Sequence, residues 1–123
     1  MYAAFSRLAQ NGEIASYVAE YFDPDCEYQP VEETGAICGH DPLIRWNQRW
    51  LEAWADNWDE VDQTIENGEM VAAAIRVHGR GRKSGMEISQ RLFDVFELRD
   101  GKIVRMKEYL DPHQALEAAG LSE

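Results

Sequence analysis

At 123 residues the chain has the size of one domain, residues 1–123, and 45% hydrophobic with 28% charged residues is the balance of a globular protein. Twenty-three acids against 12 Lys and Arg give a formal charge of −11, a field that repels nucleic-acid phosphates and anionic lipid and so argues against both as partners. The longest apolar run, Val71 to Ile75, is far short of a membrane span, and Met1 to Leu8 lacks the basic and apolar blocks of a signal peptide, so a cytoplasmic location is expected.

Tyr2, Phe5, Leu8 and Ala9 recur at helical spacing and stop at Asn11-Gly12. Ile14, Tyr17, Val18 and Tyr21 repeat the pattern over Glu13 to Phe22, which Asp23-Pro24 ends because the residue before proline is pushed out of the helical region. Cys26 to Gln29 predicts a short strand closed by Pro30, residues 31 to 35 a loop, and Ala36 to Cys38 a short edge strand. Both cysteines are expected as small, reduced, buried residues. Asp41 and Pro42 predict the N-cap and first position of a helix carrying Leu43, Trp46, Trp50 and Trp54 on one face. Such an aromatic stripe is either plain core or the wall of a ligand site.

From Trp58 the period changes to two. Val61, Gln63 and Ile65 alternate with Asp62 and Thr64 before an Asn67-Gly68 hairpin signal. Met70 to His78, Met86 to Leu98 and Lys102 to Leu110 predict three more strands, and Asp111-Pro112 caps a last helix stopped by Gly120. The basic stretch Arg76 to Lys83 reads as a solvated hairpin tip, since no aromatic residues interleave its charges for base stacking. Helices followed by hairpin-linked strands imply an α+β fold with helices packed on one sheet face.

The segment Leu92 to Leu110 carries the chemistry. Its turn, Arg99-Asp100-Gly101-Lys102, suits a type I turn with a glycine bulge, which sets Asp94 opposite Met106 and Leu92 opposite Glu108. Met86, Ile88, Leu92, Phe96, Leu98, Val104, Met106 and Leu110 then share the core face, with Asp94 and Glu108 diagonal neighbours among them. A plain two-residue turn instead moves Glu108 to the other face, opposite Phe93, while Asp94 stays inward in either register. A carboxyl on an apolar face is either bonded to an indole N–H or an arginine, or is a pocket acid of raised pKa able to move a proton. The outer face mixes Phe93, Val95, Ile103 and Tyr109 with charges, which dimerisation would cover.

Three segments carry a family resemblance: Tyr21-Phe22-Asp23-Pro24-Asp25-Cys26-Glu27-Tyr28, then Gly39-His40 entering the tryptophan helix, and Asp94 to Ile103 continuing to Glu108-Tyr109-Leu110-Asp111. Over nearly its whole length the chain resembles the SnoaL-like branch of the nuclear-transport-factor-2-like superfamily. That resemblance implies a cone-shaped fold with a strongly curved antiparallel sheet, helices packed on its concave face around a pocket, and commonly a homodimer across the sheet. Members include polyketide cyclases, ketosteroid isomerases, epoxide hydrolases and dehydratases. Asp94 matches the acid that hydrogen-bonds the steroid oxyanion in the isomerases, allowing one residue fewer in the turn, and Glu108 the aspartate that acts as acid or base in the cyclases. The departures are Gln29 where the isomerases have their proton-abstracting aspartate, Phe5 where they have the oxyanion tyrosine, and Asp94 where the cyclases have a histidine. Steroid isomerisation by that mechanism is thereby argued against, and His40 is the best remaining histidine candidate.

The expectation is therefore a small-molecule pocket protein, whose first reading is an enzyme that needs no cofactor and isomerises, cyclises or hydrolyses a small apolar, oxygen-bearing molecule through Asp94, Glu108 and His40. Tyr28, Trp46, Trp50 and Trp54 would form the apolar walls, with Phe96 and Met106 beside the acids. The alternatives are a pocket that only binds its ligand, and a homodimeric interaction domain working through the outer sheet face. No histidine and cysteine spacing suggests a metal site, and no glycine-rich loop opens a helix to hold phosphates.

Overall fold

The structure is a computed structural model that describes residues 13–121, so the helix expected over Tyr2 to Ala9, with Phe5, lies outside the described residues. Helix α1 (Ile14–Tyr21) buries Ile14, Tyr17 and Val18 on the face their spacing defines, and gives way at Phe22 to extended backbone. Strand β1 (Phe22–Gln29) and the two-residue β2 (Ile37–Cys38) follow, then α2 (His40–Glu52). Four long strands come next: β3 (Trp54–Asn67), β4 (Met70–Gly81), β5 (Glu87–Arg99) and β6 (Lys102–Tyr109), with a short closing helix α3 (Pro112–Ala118). They form one six-stranded sheet in the order β2-β1-β6-β5-β4-β3, antiparallel except where β1 lies parallel to β6. This is the expected α+β class.

Three local readings change. Helix α2 starts from Gly39, whose φ of 85° and N–H hydrogen bond to the Cys26 carbonyl turn the chain two residues earlier than an Asp41 cap would. Asp41 and Pro42 sit within the first turn, where backbone N–H groups have no intrahelical partner and proline is tolerated. The helix ends at Glu52, so Trp54 opens β3 instead of completing the helical stripe. Cys26 is buried as expected but Cys38, on the edge strand, is exposed; both are free thiols.

The β5–β6 hairpin also differs from its expected register. Asp100 and Gly101, at φ 52° and 77°, form a two-residue turn of the I′ kind, with Arg99 paired to Lys102 and Leu98 to Ile103. The bulge falls later: Glu97 pairs with Arg105, leaving Val104 as the extra residue. Side-chain parity switches there, so Ile103 is buried before the bulge, in place of Val104, and Met106 and Glu108 face inward after it. Glu108 is now directly opposite Asp94 instead of diagonal to it. Met86, Ile88 and Leu110, assigned to the core by alternation, lie at strand ends and are mostly exposed.

The main core lies between α1, α2 and the inner sheet face, where Val18, Leu43, Ile75, Leu92, Phe96 and Ile103 are almost fully buried. Each such side chain contributes about 1.5–3 kcal/mol. A second cluster lies on the opposite face, where Ala115 and Ala119 of α3 pack on Ala72 and Val95. The closing helix thus covers part of the surface that a one-sided helix layer would leave in water. Small residues at the β4–β5 pair let it approach, and Asn67 anchors it by donating to the Ala119 carbonyl at 2.9 Å. The basic stretch is not a hairpin tip as far as Gly81: Arg76, His78 and Arg80 lie within β4, and Arg76 is paired with Glu60 and Asp62 of β3.

Candidate functional site

A cavity of about 140 Å³ opens between the helices and the inner sheet face. Helix α2 supplies Leu43, Trp46, Asn47 and Trp50 to its wall, β1 supplies Tyr28, and β3 supplies Trp54 and Asp59. Asp94, Met106 and Glu108 come from the β5–β6 hairpin. The aromatic rings are fixed against one another: Trp50 and Trp54 have centroids 5.7 Å apart at 50°, and Tyr28 meets Trp46 edge-on at 5.4 Å. Gly79 makes room for the Trp54 indole, since a Cβ there would lie 2.6 Å from the ring.

Asp94 is completely buried. As direct cross-strand partners, Asp94 and Glu108 have Cβ atoms about 4.5–5.5 Å apart. The Val31 amide donates to Glu108 Oε1 at 3.1 Å, tying the loop after β1 to this acid. Burial pushes the Glu108 carboxyl up to about 7, while the Val31 N–H and the Tyr28 hydroxyl restrain the rise and Glu32 and Asp59 add to it. Burial, with the charges of Glu108 and Asp94 beside it, pushes the Tyr28 hydroxyl well up, so it stays protonated and able to donate. Burial likewise raises Asp59 to about 6, partly offset by His78. A carboxyl that titrates near 7 can give or take a proton at neutral pH, and a protonated phenol beside it can hold a developing negative charge.

Most of the expected residues meet in this cavity: Tyr28, Trp46, Trp50, Trp54, Asp94, Met106 and Glu108 all line it. Trp54 does so from β3, across from the helix it was assigned to. Two do not. His40 lies at the start of α2 with Nε2 2.8 Å from the Phe22 carbonyl, a contact that ties the helix to β1. Phe96 is buried in the core outside the lining. Gln29 is also elsewhere, donating to the carbonyls of Pro30 and Glu33 and shaping the loop.

Sequence reasoning passed over Asp59, Asn47, Tyr17 and Glu32. Asp59 had a signal, because it stands two residues before Val61 and shares its strand parity. Asn47 sits one turn after Leu43 and is 8% exposed, with its amide nitrogen donating to the Leu43 carbonyl at 2.9 Å. Among the described residues no His, Cys, Asp and Glu group is arranged to hold a metal ion, and no helix is long and apolar enough to cross a membrane.

Solved structures share this architecture at low identity. A protein of ketosteroid isomerase-like fold from Catenulispora acidiphila, in complex with trimethylamine, superposes with a TM-score of 0.75 at 14% identity, covering 97% of this chain and 91% of its own. An NTF2-like protein of unknown function from an Exiguobacterium species reaches 0.77 at 17% identity over 90% and 94% of the two chains. TerC, co-crystallised with polyporic acid, reaches 0.73 at 19% identity over 96% and 90%. These likenesses speak to the fold alone, and no curated protein matches the sequence. The profile of the SnoaL-like domain, however, matches residues 2–106, which hold the tryptophan helix, β1 and the acid Asp94. With that match over most of its length and this fold around its cavity, the chain belongs to the SnoaL-like domain family, whose members include polyketide cyclases and isomerases.

Proposed function

We propose that the chain takes a small, largely apolar, oxygen-bearing molecule into this cavity and isomerises, cyclises or hydrolyses it by acid–base chemistry without a cofactor. One observation carries the reading: Glu108 and Asp94 are direct partners inside the cavity, and Glu108 is poised near neutrality. Glu108 transfers the proton, Asp94 couples to it, and Tyr28 donates to the oxygen on which charge develops. Trp46, Trp50 and Trp54 hold the apolar part and limit water. Two neighbours of the same fold were crystallised with small organic molecules, which agrees with such a use of the fold.

Carboxyl-detected NMR titration tests the reading. Glu108 is expected to titrate near 7 and to move when Asp94 is replaced by Asn. A Glu108 midpoint at the ordinary value of about 4.3 would remove the case for proton transfer.

A second reading, ligand binding without chemistry, is favoured by Gln29, which cannot act as a base and points into the loop. For partners we propose a homodimer across the outer sheet face. Trp58 on that face is 36% exposed and stacks on His78 at 5.1 Å, beside the patch that α3 leaves uncovered. Sedimentation showing a monomer at micromolar concentration would remove the dimer.

A further inference from the structure

The cavity is lined by carboxyls and indoles, and the Trp54 indole N–H is buried at its wall without a hydrogen-bond partner among the described residues. Four carboxyls line it, from Glu32, Asp59, Asp94 and Glu108, and among the described residues no lysine or arginine does. Asn47 adds to the imbalance. Its amide nitrogen donates to the Leu43 carbonyl, so one of the donors at the cavity wall is engaged within its own helix. Trp46, Trp50 and Trp54 line the walls, with the Trp50 and Trp54 rings tilted at 50° to each other. Indoles set around a cavity attract organic cations through the ring quadrupole, most strongly when water is excluded.

We infer that the molecule recognised here carries a protonated amine on a compact apolar body, seated against Trp50 and Trp54 with its N–H directed at Asp59 or Glu108. The inference rests on the reading of the cavity as a small-molecule site and specifies the charge of what enters it. An anion is disfavoured by the four acids and by the overall charge of −11. A purely apolar ligand would deepen the burial of Asp59 and Glu108 and bring them no counter-charge. The size is consistent: an engineered apolar cavity of about 150 Å³ holds a benzene ring. Burial raises the affinity of Asp59 and Glu108 for protons, and a bound ammonium would oppose that by favouring the ionised form of both.

The test uses the whole chain with tert-butylamine, its neutral isostere tert-butanol, and the anion pivalate, followed by calorimetry and carboxyl NMR between pH 5 and 8. An alkylammonium with a pKa of about 10 stays charged over this range, so any change with pH belongs to the protein. The titratable groups around the site are Glu32, Asp59, Asp94 and Glu108, with His78 beside Asp59, while Tyr17 and Tyr28 remain neutral. The amine is expected to bind at least tenfold more tightly than the alcohol at pH 8, to weaken about tenfold towards pH 5, and to lower the Glu108 midpoint. Asp59→Asn should weaken the amine at least fivefold more than it weakens the alcohol. If that variant does not fold, the shift of the Glu108 midpoint on adding amine to the unaltered chain decides instead. Equal or tighter binding of the alcohol would overturn the amine and keep the small-molecule site. Binding of none of the three overturns the amine inference, and an ordinary Glu108 midpoint found with it would overturn the proton-transfer reading as well.

Discussion

Asp59 and Asp62 stand three residues apart in β3 and behave oppositely. Asp59 faces the cavity, where burial raises its carboxyl to about 6. Asp62, at the bulge where β3 slips between Val61 and Gln63, lies in solvent, and the Arg76 guanidinium bonded to it at 2.9 Å holds its carboxyl below the usual range. The same division runs across the sheet. On the outer side Arg76 also meets Glu60, and His78 bridges Glu60 and Ser89. On the inner side Asp59 and Glu108 have no arginine or lysine beside them among the described residues. Acids on the outer side are paired with cations and stabilise the fold modestly, whereas burial without a paired cation raises the carboxyls of Asp59 and Glu108 on the inner side.

This contrast can be broken at several points. The largest effect should come from Leu92→Ala, which opens the packed inner face below Asp94 and should cost about 2–5 kcal/mol in urea denaturation. Arg91→Ala, one residue away on the exposed side, should change stability by less than about 0.5 kcal/mol. Gly79→Ala should come next. The new methyl meets the Trp54 ring, and the expected loss of about 1–3 kcal/mol should appear with a shift in tryptophan fluorescence as the indole leaves its corner.

Glu108→Gln should act in the other direction. The folded state holds the Glu108 proton more tightly than the unfolded chain does, so the native protein loses stability as pH rises from about 4.5 to about 7. Glutamine keeps an oxygen for the Val31 amide and has no proton to release. The variant should therefore be more stable than the parent by on the order of 2 kcal/mol at pH 8, and the difference should vanish near pH 4. Parallel denaturation curves at the two pH values check this; a variant less stable at pH 8 would mean that Glu108 is not desolvated. Asp62→Asn should give the smallest effect and the opposite sign. Its stabilisation is present above the unfolded pKa and disappears as pH falls below it, and 0.5 M salt should weaken it while leaving the Glu108 effect largely intact.

Much of this was legible in the residues because the signals were local. Ile14, Tyr17 and Val18 define a helical face whatever surrounds them, and Asp23-Pro24 stops that helix. The strand alternation around Leu92 and Phe96 turned Asp94 inward under every register considered, and the structure buries it completely. Glu108 was less secure because its face depended on a bulge. The bulge exists, but at Val104, beyond a two-residue turn, and nothing in Arg99-Asp100-Gly101-Lys102 distinguishes that arrangement from a glycine bulge within the turn. Trp54 shows a related ambiguity. Its spacing from Trp50 fits a helix, yet the chain leaves the helix at Ala53 and brings the indole to the same corner from a strand. His40 lies outside the cavity lining, because its ring at the helix start meets the nearest backbone, the Phe22 carbonyl.

The amino-acid sequence by itself determined the acidic charge, the order of helices and strands, the indole-rich wall and the inward direction of Asp94, because periodicity and turn chemistry act over a few residues. Only the tertiary structure decided that Glu108 lies directly across from Asp94, that Asp59 and Asn47 join them, and that α3 covers the outer face instead of the inner one. Those outcomes depend on strand register and on which elements pack together, and long-range packing is settled by the burial of the whole chain.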